Sequence, residues 1–284
     1  KLESAESSFQ RYVALTPAPG TGSAASAARR GLAQAYLSLA QIAEKRNDVV
    51  QAEAWLARID SPEELLNAQM RRASLLARQG KLDDARQLIR RQPETTVAEA
   101  RLKLNAELQL LRDAKQYQAA FDLLSEGLAR FPDDADLGYD QAMMAEKLGR
   151  FDEMERLLRG VMANRPDYQH AYNALGYSLA ERNQRLPEAR QLIKKALEFA
   201  PDDPFITDSL GWVEFRSGNL AEALRLLQSA YKARPDAEIA AHLGEVLWTM
   251  GRREQAMTVW REAVGQSPDN ETLRETLKRL RVKL

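Results

Sequence analysis

The chain of 284 residues holds two histidines, His170 and His242, and no cysteine. Without cysteine there is no thiolate nucleophile, no thiolate metal site and no disulfide. The histidines are 72 positions apart. Each falls where the first helix of a repeat unit is expected, two units apart, so the two do not meet in one site, and each is read as a lone helix residue at the surface or in packing. The acidic pairs Asp133–Asp134 and Asp202–Asp203 each follow a proline. Calcium demands several oxygens converging from a spaced loop, so these pairs are read as helix caps placed where negative charge is favourable. No glycine run forms GxGxxG or a phosphate loop. The sequence therefore supports no catalytic constellation, no metal site and no cofactor.

The elements that would position any functional side chain are helices. Ala, Leu, Arg, Glu and Gln dominate, and these residues lose little rotamer freedom in a helix. Hydrophobic residues make up 44%, enough for a buried core. The 41 basic and 41 acidic residues cancel and are spread over both halves. No basic surface is implied for nucleic acid or anionic lipid. No apolar run approaches the roughly 20 residues that span a bilayer. Lys1 opens neither a signal peptide nor a chain with an initiator Met, which points to a mature form or an excised fragment.

A repeat runs along the chain. Gly176 is followed by Ala189, Gly211 by Ala223 and Gly244 by Ala256, and a proline closes each unit at Pro201, Pro235 and Pro268. Ala142, Met154 and Pro166 continue the frame backwards, as do Leu108, Ala120 and Pro132. Ala73 with Ala85, and Ala40 with Ala52, extend it without the proline. The frame places seven units over residues 33–270, starting near 33, 66, 101, 135, 169, 204 and 237. Each is expected to be a pair of antiparallel helices, with Gly149, Gly218 and Gly251 at the internal turns. Residues 1–17, with Ala5, Phe9, Tyr12 and Pro17, have the spacing of a second helix whose partner is missing: a truncated preceding repeat or a natural cap. Residues 18–32 are expected as loop and helix start, with Thr16–Ser26 the clearest loop. Residues 271–284, with Leu273, Leu277 and Leu280 on one face, are expected as a C-terminal cap helix.

The period of about 33 to 35 residues is that of the tetratricopeptide repeat, and the chain resembles that family. Leu210, Gly211, Gly218, Ala223, Leu227, Ala230 and Pro235 match its pattern, as do Leu243, Gly244, Gly251, Ala256, Trp260, Ala263 and Pro268. Tyr172, Leu175, Gly176, Ala189, Ile193, Ala196 and Pro201 fit with one residue inserted near Asn183. The resemblance implies an all-α, right-handed superhelical solenoid of helix–turn–helix repeats whose first helices line a concave groove. It also implies that positions 2, 5, 9 and 12 of each unit face that groove. The candidate partner-binding residues are then His170, Asn173 and Tyr177; Phe205, Asp208, Trp212 and Phe215; and Glu238, Glu245 and Trp248. Tyr177, Trp212, Phe215 and Trp248 would form an aromatic floor suited to binding hot spots. For Phe215 and Trp248 a packing role is an equal alternative. Acids stand where a clamp for a C-terminal carboxylate needs Lys or Arg, so the groove is expected to favour a segment carrying Arg or Lys.

The resemblance implies a non-catalytic adaptor or scaffold for another protein or peptide. Self-assembly, including a homo-oligomer, and the non-catalytic part of a larger enzyme are the alternatives. The stretch Ala171–Ala263 is similar to proteobacterial repeat proteins, some of them outer-membrane lipoproteins facing the periplasm. One such protein delivers substrates to a carboxyl-terminal processing protease. This likeness implies the bacterial periplasm, a lipid anchor upstream of Lys1 and a protease partner, with the cytoplasm as the alternative location.

Overall fold

A computed structural model describes residues 2–17 and 23–284. The described residues form helices and turns, with no strand among them. The protein divides into two compact units, residues 1–129 and 130–284.

The first unit begins with α1 (Leu2–Leu15), which packs on α2 (Ser23–Lys45) although none of its residues is buried. Two hairpins follow, α2 with α3 (Val49–Leu56) and α4 (Pro62–Arg78) with α5 (Leu82–Arg90), and then α6 (Val97–Asp113), joined by a short turn to α7 (Tyr117–Arg130). These first helices start upstream of the sequence frame, at 23, 62 and 97. The cause at α6 is local: the Thr96 side chain accepts from the Glu99 amide while the Glu99 carboxylate accepts from Thr96, a reciprocal cap that fixes the start. Of the expected loop Thr16–Ser26, residues 18–22 lie outside the described residues, and Ser23–Ser26 are helical. Four alanines, Ala24, Ala25, Ala27 and Ala28, stand within the first six residues of α2, and their helix propensity overrides the two serines.

The second unit holds four hairpins: α8 (Ala135–Lys147) with α9 (Phe151–Asn164), α10 (Gln169–Glu181) with α11 (Leu186–Phe199), α12 (Pro204–Arg216) with α13 (Leu220–Ala233), and α14 (Ala237–Thr249) with α15 (Arg253–Gln266). A single helix, α16 (Glu271–Arg279), packs on α14. Asp134, Asp203, Asp236 and Asn270 cap α8, α12, α14 and α16, each accepting a backbone N–H of the first turn. Gly218 and Gly251 turn the chain at φ of 85° and 79°, where a side chain would be strained.

The repeat's glycines and alanines meet inside each hairpin. Ala189, Ala223 and Ala256 are fully buried. A β-carbon at Gly176 would lie 2.6 Å from Ile193 Cγ1, and one at Gly211 would lie 2.7 Å from Leu227 Cγ. At Gly244 it would fall inside the Trp260 indole. This close approach buries Trp260 completely and builds a core with Ala240, Val246, Leu247 and Leu273. The second helices therefore fix where the first helices sit, and the first helices carry the site.

Candidate functional site

In the second unit α10 packs on α12, α12 on α14 and α14 on α16. A cavity of about 390 Å³ runs across these first helices and α8. Helix α8 supplies Tyr139, Met143, Glu146 and Lys147, α10 supplies Asn173, Ala174 and Tyr177, and α12 supplies Phe205, Asp208 and Ser209. Glu238 of α14 and Thr272 of α16 complete the wall. The helical repeat of 3.6 residues puts positions three and four apart on one face, which is why each helix contributes such sets.

Beneath the cavity is a buried polar centre built by three consecutive hairpins. His242 Nδ1 lies 2.9 Å and 3.0 Å from the two carboxylate oxygens of Asp208. Its ring stacks on Trp212 with centroids 4.3 Å apart, and its Nε2 lies 3.3 Å from the Tyr177 hydroxyl. His242, Asp208 and Trp212 are all buried. The Trp212 indole N–H donates to Glu181 at 2.8 Å. Burial alone would lower the pKa of His242, but the charge and hydrogen bond of Asp208, with Glu238 and Glu181 beyond, outweigh it and raise the value. The centre thus pairs the His242 imidazole, whose protonated form is favoured, with the Asp208 carboxylate against the Trp212 ring. Burial, with Glu181, Glu238, Asp208 and Glu146 nearby, raises the Tyr177 hydroxyl.

Two carboxylates at the cavity are different. Glu238 and Glu146 accept no hydrogen bond and form no ion pair among the described residues. Burial raises the pKa of both. At Glu238 the nearby His242 opposes that shift, and Asp208 reinforces it. At Glu146 it is opposed by Lys147 and Arg182. Asn173 Oδ1 is buried without a hydrogen-bond partner. The cavity thus presents three unsatisfied acceptors between aromatic rings.

The candidate residues divide by environment. Asn173, Tyr177, Phe205, Asp208 and Glu238 line the cavity, and Phe205 is 37% exposed. Trp212 does not form an aromatic floor: it is 2% exposed, held between His242, Phe215 and the Glu181 bond. Phe215 and Trp248 pack against the C-terminal core, and Trp248 also contacts the Trp260 ring. Glu245 is buried and paired with Arg279 of α16 at 2.5 Å, so its charge is spent inside the protein. His170 is exposed and lies apart, with its ring 5.6 Å from Tyr168 and 6.1 Å from Tyr139. The view of His242 as a lone residue is also corrected, since it joins side chains from three hairpins. Tyr139, Met143, Glu146, Lys147, Ser209 and Thr272 were not anticipated. The repeat frame carried a signal for three of them: positions 5, 9 and 12 of the unit starting at 135 are Tyr139, Met143 and Glu146.

Among the described residues no group of three or more His, Asp or Glu side chains is placed to hold a metal ion, and no helix is long and apolar enough to cross a membrane.

Comparison with known proteins agrees with the repeat architecture. One tetratricopeptide repeat model matches residues 139–204 and 209–271, and another matches 33–58 and 66–91, together more than half of the chain. The chain is 41% identical over 250 residues to a TPR repeat-containing protein of Pseudomonas aeruginosa, covering 87% of this chain and 42% of that protein. It is 26% identical over 175 residues to a human protein O-mannosyl-transferase, covering 58% of this chain and 19% of that protein. The chain thus spans less than half the length of either relative. Among solved structures, a tetratricopeptide repeat protein of Parabacteroides merdae superposes with a TM-score of 0.63 at 15% identity, over 87% of this chain and 98% of that one. A thermophilic one from Thermus thermophilus gives 0.55 at 24% identity, over 62% of this chain and 96% of that one.

Proposed function

Because the chain belongs to the tetratricopeptide repeat family, whose repeats serve as protein-interaction scaffolds, we propose that its second unit holds a segment of a partner protein in the cavity between α8, α10, α12, α14 and α16. The observation that carries this reading is the cavity itself: a concave, partly aromatic wall built on rigid helices, with polar groups left unsatisfied. Proteins of this fold are generally non-catalytic, and His242 and Asp208, the histidine–carboxylate pair beneath the cavity, are buried and bonded to each other.

The setting belongs to the same proposal. The likeness of Ala171–Ala263 to proteobacterial repeat proteins, together with the Pseudomonas relative, supports a bacterial protein. Within it, delivery of substrates to a carboxyl-terminal processing protease in the periplasm, from a lipid anchor upstream, is the role that likeness favours. The human relative favours a second reading, the non-catalytic part of a longer enzyme, and a catalytic domain encoded beside these repeats would bear it out.

The test is affinity capture from native cells with the wild-type chain, with Ala174→Trp, which fills the cavity, and with Lys194→Ala on the outer face of α11. Partners captured by the wild type and Lys194→Ala but lost with Ala174→Trp are the expected result. An unchanged partner set with Ala174→Trp contradicts the proposal.

A further inference from the structure

The unsatisfied groups in the cavity are all of one kind. Glu146, Glu238 and Asn173 Oδ1 are acceptors, and no described donor reaches them. Asp208, the third acid of the wall, has its charge met from below by His242. Lys147 is the one cation of the lining; its side chain forms no ion pair within 4 Å with either glutamate, although its charge favours the ionised form of both. Water satisfies such acceptors in the free protein at a cost, since burial holds both carboxyls away from bulk solvent. A ligand group that only donates, carries positive charge and has flat faces meets the three acceptors and the aromatic rings of this wall, which holds two unpaired carboxylates against one lysine. The guanidinium has five N–H donors, no acceptor and a plane that stacks on aromatic rings. Tyr139 and Tyr177 supply such rings around the acceptors. The protein already uses this geometry within its own chain: the Arg165 guanidinium lies 4.9 Å from the Tyr168 ring centroid, and that of Arg234 lies 4.9 Å from Phe205. An acidic partner segment meets the opposite situation, with two unpaired carboxylates and no free arginine in the lining.

Resting on the docking cavity proposed above, we infer that its occupant is an extended segment of a partner protein carrying an arginine. That guanidinium enters between Glu146 and Glu238, beside Asn173 and the tyrosine rings. Charge complementarity selects this occupant over an acidic or purely apolar one. Lysine is a poorer fit, because a compact ammonium reaches fewer of the spaced acceptors and does not stack as a plane.

The purified chain is tested by fluorescence anisotropy with octapeptide libraries, acetylated and amidated at their ends, in which one central position is fixed as Arg, citrulline, Lys or Glu. Citrulline keeps the shape of arginine and loses its charge. The wild type is expected to bind the Arg library at least tenfold tighter than the citrulline or Glu libraries, with Lys between. The double variant Glu146→Gln/Glu238→Gln is expected to lose that discrimination. Both substitutions remove unpaired, desolvated charges, so the fold is expected to persist, and an unchanged circular dichroism spectrum verifies it. Equal binding of Arg and citrulline by the wild type, or preference for Glu, overturns the inference. So does an undiminished Arg preference in the double variant. Dimerisation of the wild type that the double variant abolishes makes a second copy the occupant and overturns it as well. If Ala174→Trp still sheds native partners while no Arg preference appears, the cavity proposal stands and this inference alone falls.

Discussion

Gly244→Ala tests how the second helices place the first. In an exposed helix interior, Gly to Ala gains about 1 kcal/mol from helix propensity. Here the new methyl falls inside the Trp260 indole, with Cδ1 at 2.8 Å and Nε1 and Cε2 nearer still. Trp260 is fully buried, and its N–H reaches the Ala241 carbonyl at 3.4 Å, so the ring has little room to retreat. Overpacking of this kind costs about 1–3 kcal/mol. With a rigid ring as the obstacle the upper end applies, and subtracting the propensity gain leaves a net loss of about 2 kcal/mol. Gly265 is the control: it lies in α15, and an added β-carbon meets nothing within 4 Å. Gly265→Ala is expected to stabilise by about 0.5–1 kcal/mol. The assay is urea unfolding followed by far-UV circular dichroism, with hydrogen exchange of α14 and α15 as a local readout, since repeat arrays do not always unfold in one step. Trp260→Leu opens a cavity and destabilises on its own, yet in the Gly244→Ala background it removes the clash. The double variant is therefore expected to lose less than the sum of the single losses. Stabilisation by Gly244→Ala, or strict additivity with Trp260→Leu, refutes the steric argument.

Three further outcomes follow from the charged groups. His242 has a raised pKa in the folded protein, so its contribution to stability is complete below about 6.5, the ordinary histidine value, and is lost as pH rises through the folded value. Unfolding midpoints of the wild type are expected to fall across that window, and His242→Gln is expected to flatten the decline; an identical slope in the variant contradicts the buried pair. Glu155 is held at about 2, chiefly by its hydrogen bond to Arg185 and with help from Arg159, so its contribution is present above the ordinary carboxylate range and lost as pH falls towards 2. Arg185→Gln is expected to weaken that acid dependence, read from midpoints between pH 5 and 2. Arg279→Ala leaves Glu245 buried without its partner at 2.5 Å. Breaking a fully buried pair costs about 3–5 kcal/mol; with the Arg279 head half open to solvent, a loss of about 2 kcal/mol is expected, together with faster hydrogen exchange in α16.

The sequence is most legible where packing is periodic. Gly176, Gly211 and Gly244 face fixed partners one helix later, so their spacing alone implies paired helices. Asp134 and Asp203 are legible as caps because a short carboxylate before a helix has one common use. The starts of α4 and α6 are less legible because the units before them lack the closing proline of the frame, and the Thr96–Glu99 cap sets α6 early. The site is legible in part. Helix position assigns Asn173, Tyr177, Phe205, Asp208 and Glu238 to one face, and the same rule reaches Tyr139, Met143 and Glu146. Position says nothing about what each neighbour does: Trp212 is taken up by His242, and Glu245 by Arg279, which lies 34 residues away. Those pairings join successive first helices and the C-terminal helix α16, and the repeat frame is silent about them.

The central claim is that partners dock across the first helices of the second unit. Phe205 and Phe199 offer a direct comparison: both are phenylalanines, 37% and 40% exposed, one lining the cavity and the other on the second helix α11. A photoreactive phenylalanine analogue at each position, activated in native cells, reads which face meets the partner. Adducts to a partner protein from position 205 and none from 199 are predicted. Adducts from 199 alone, or from neither position, contradict the account.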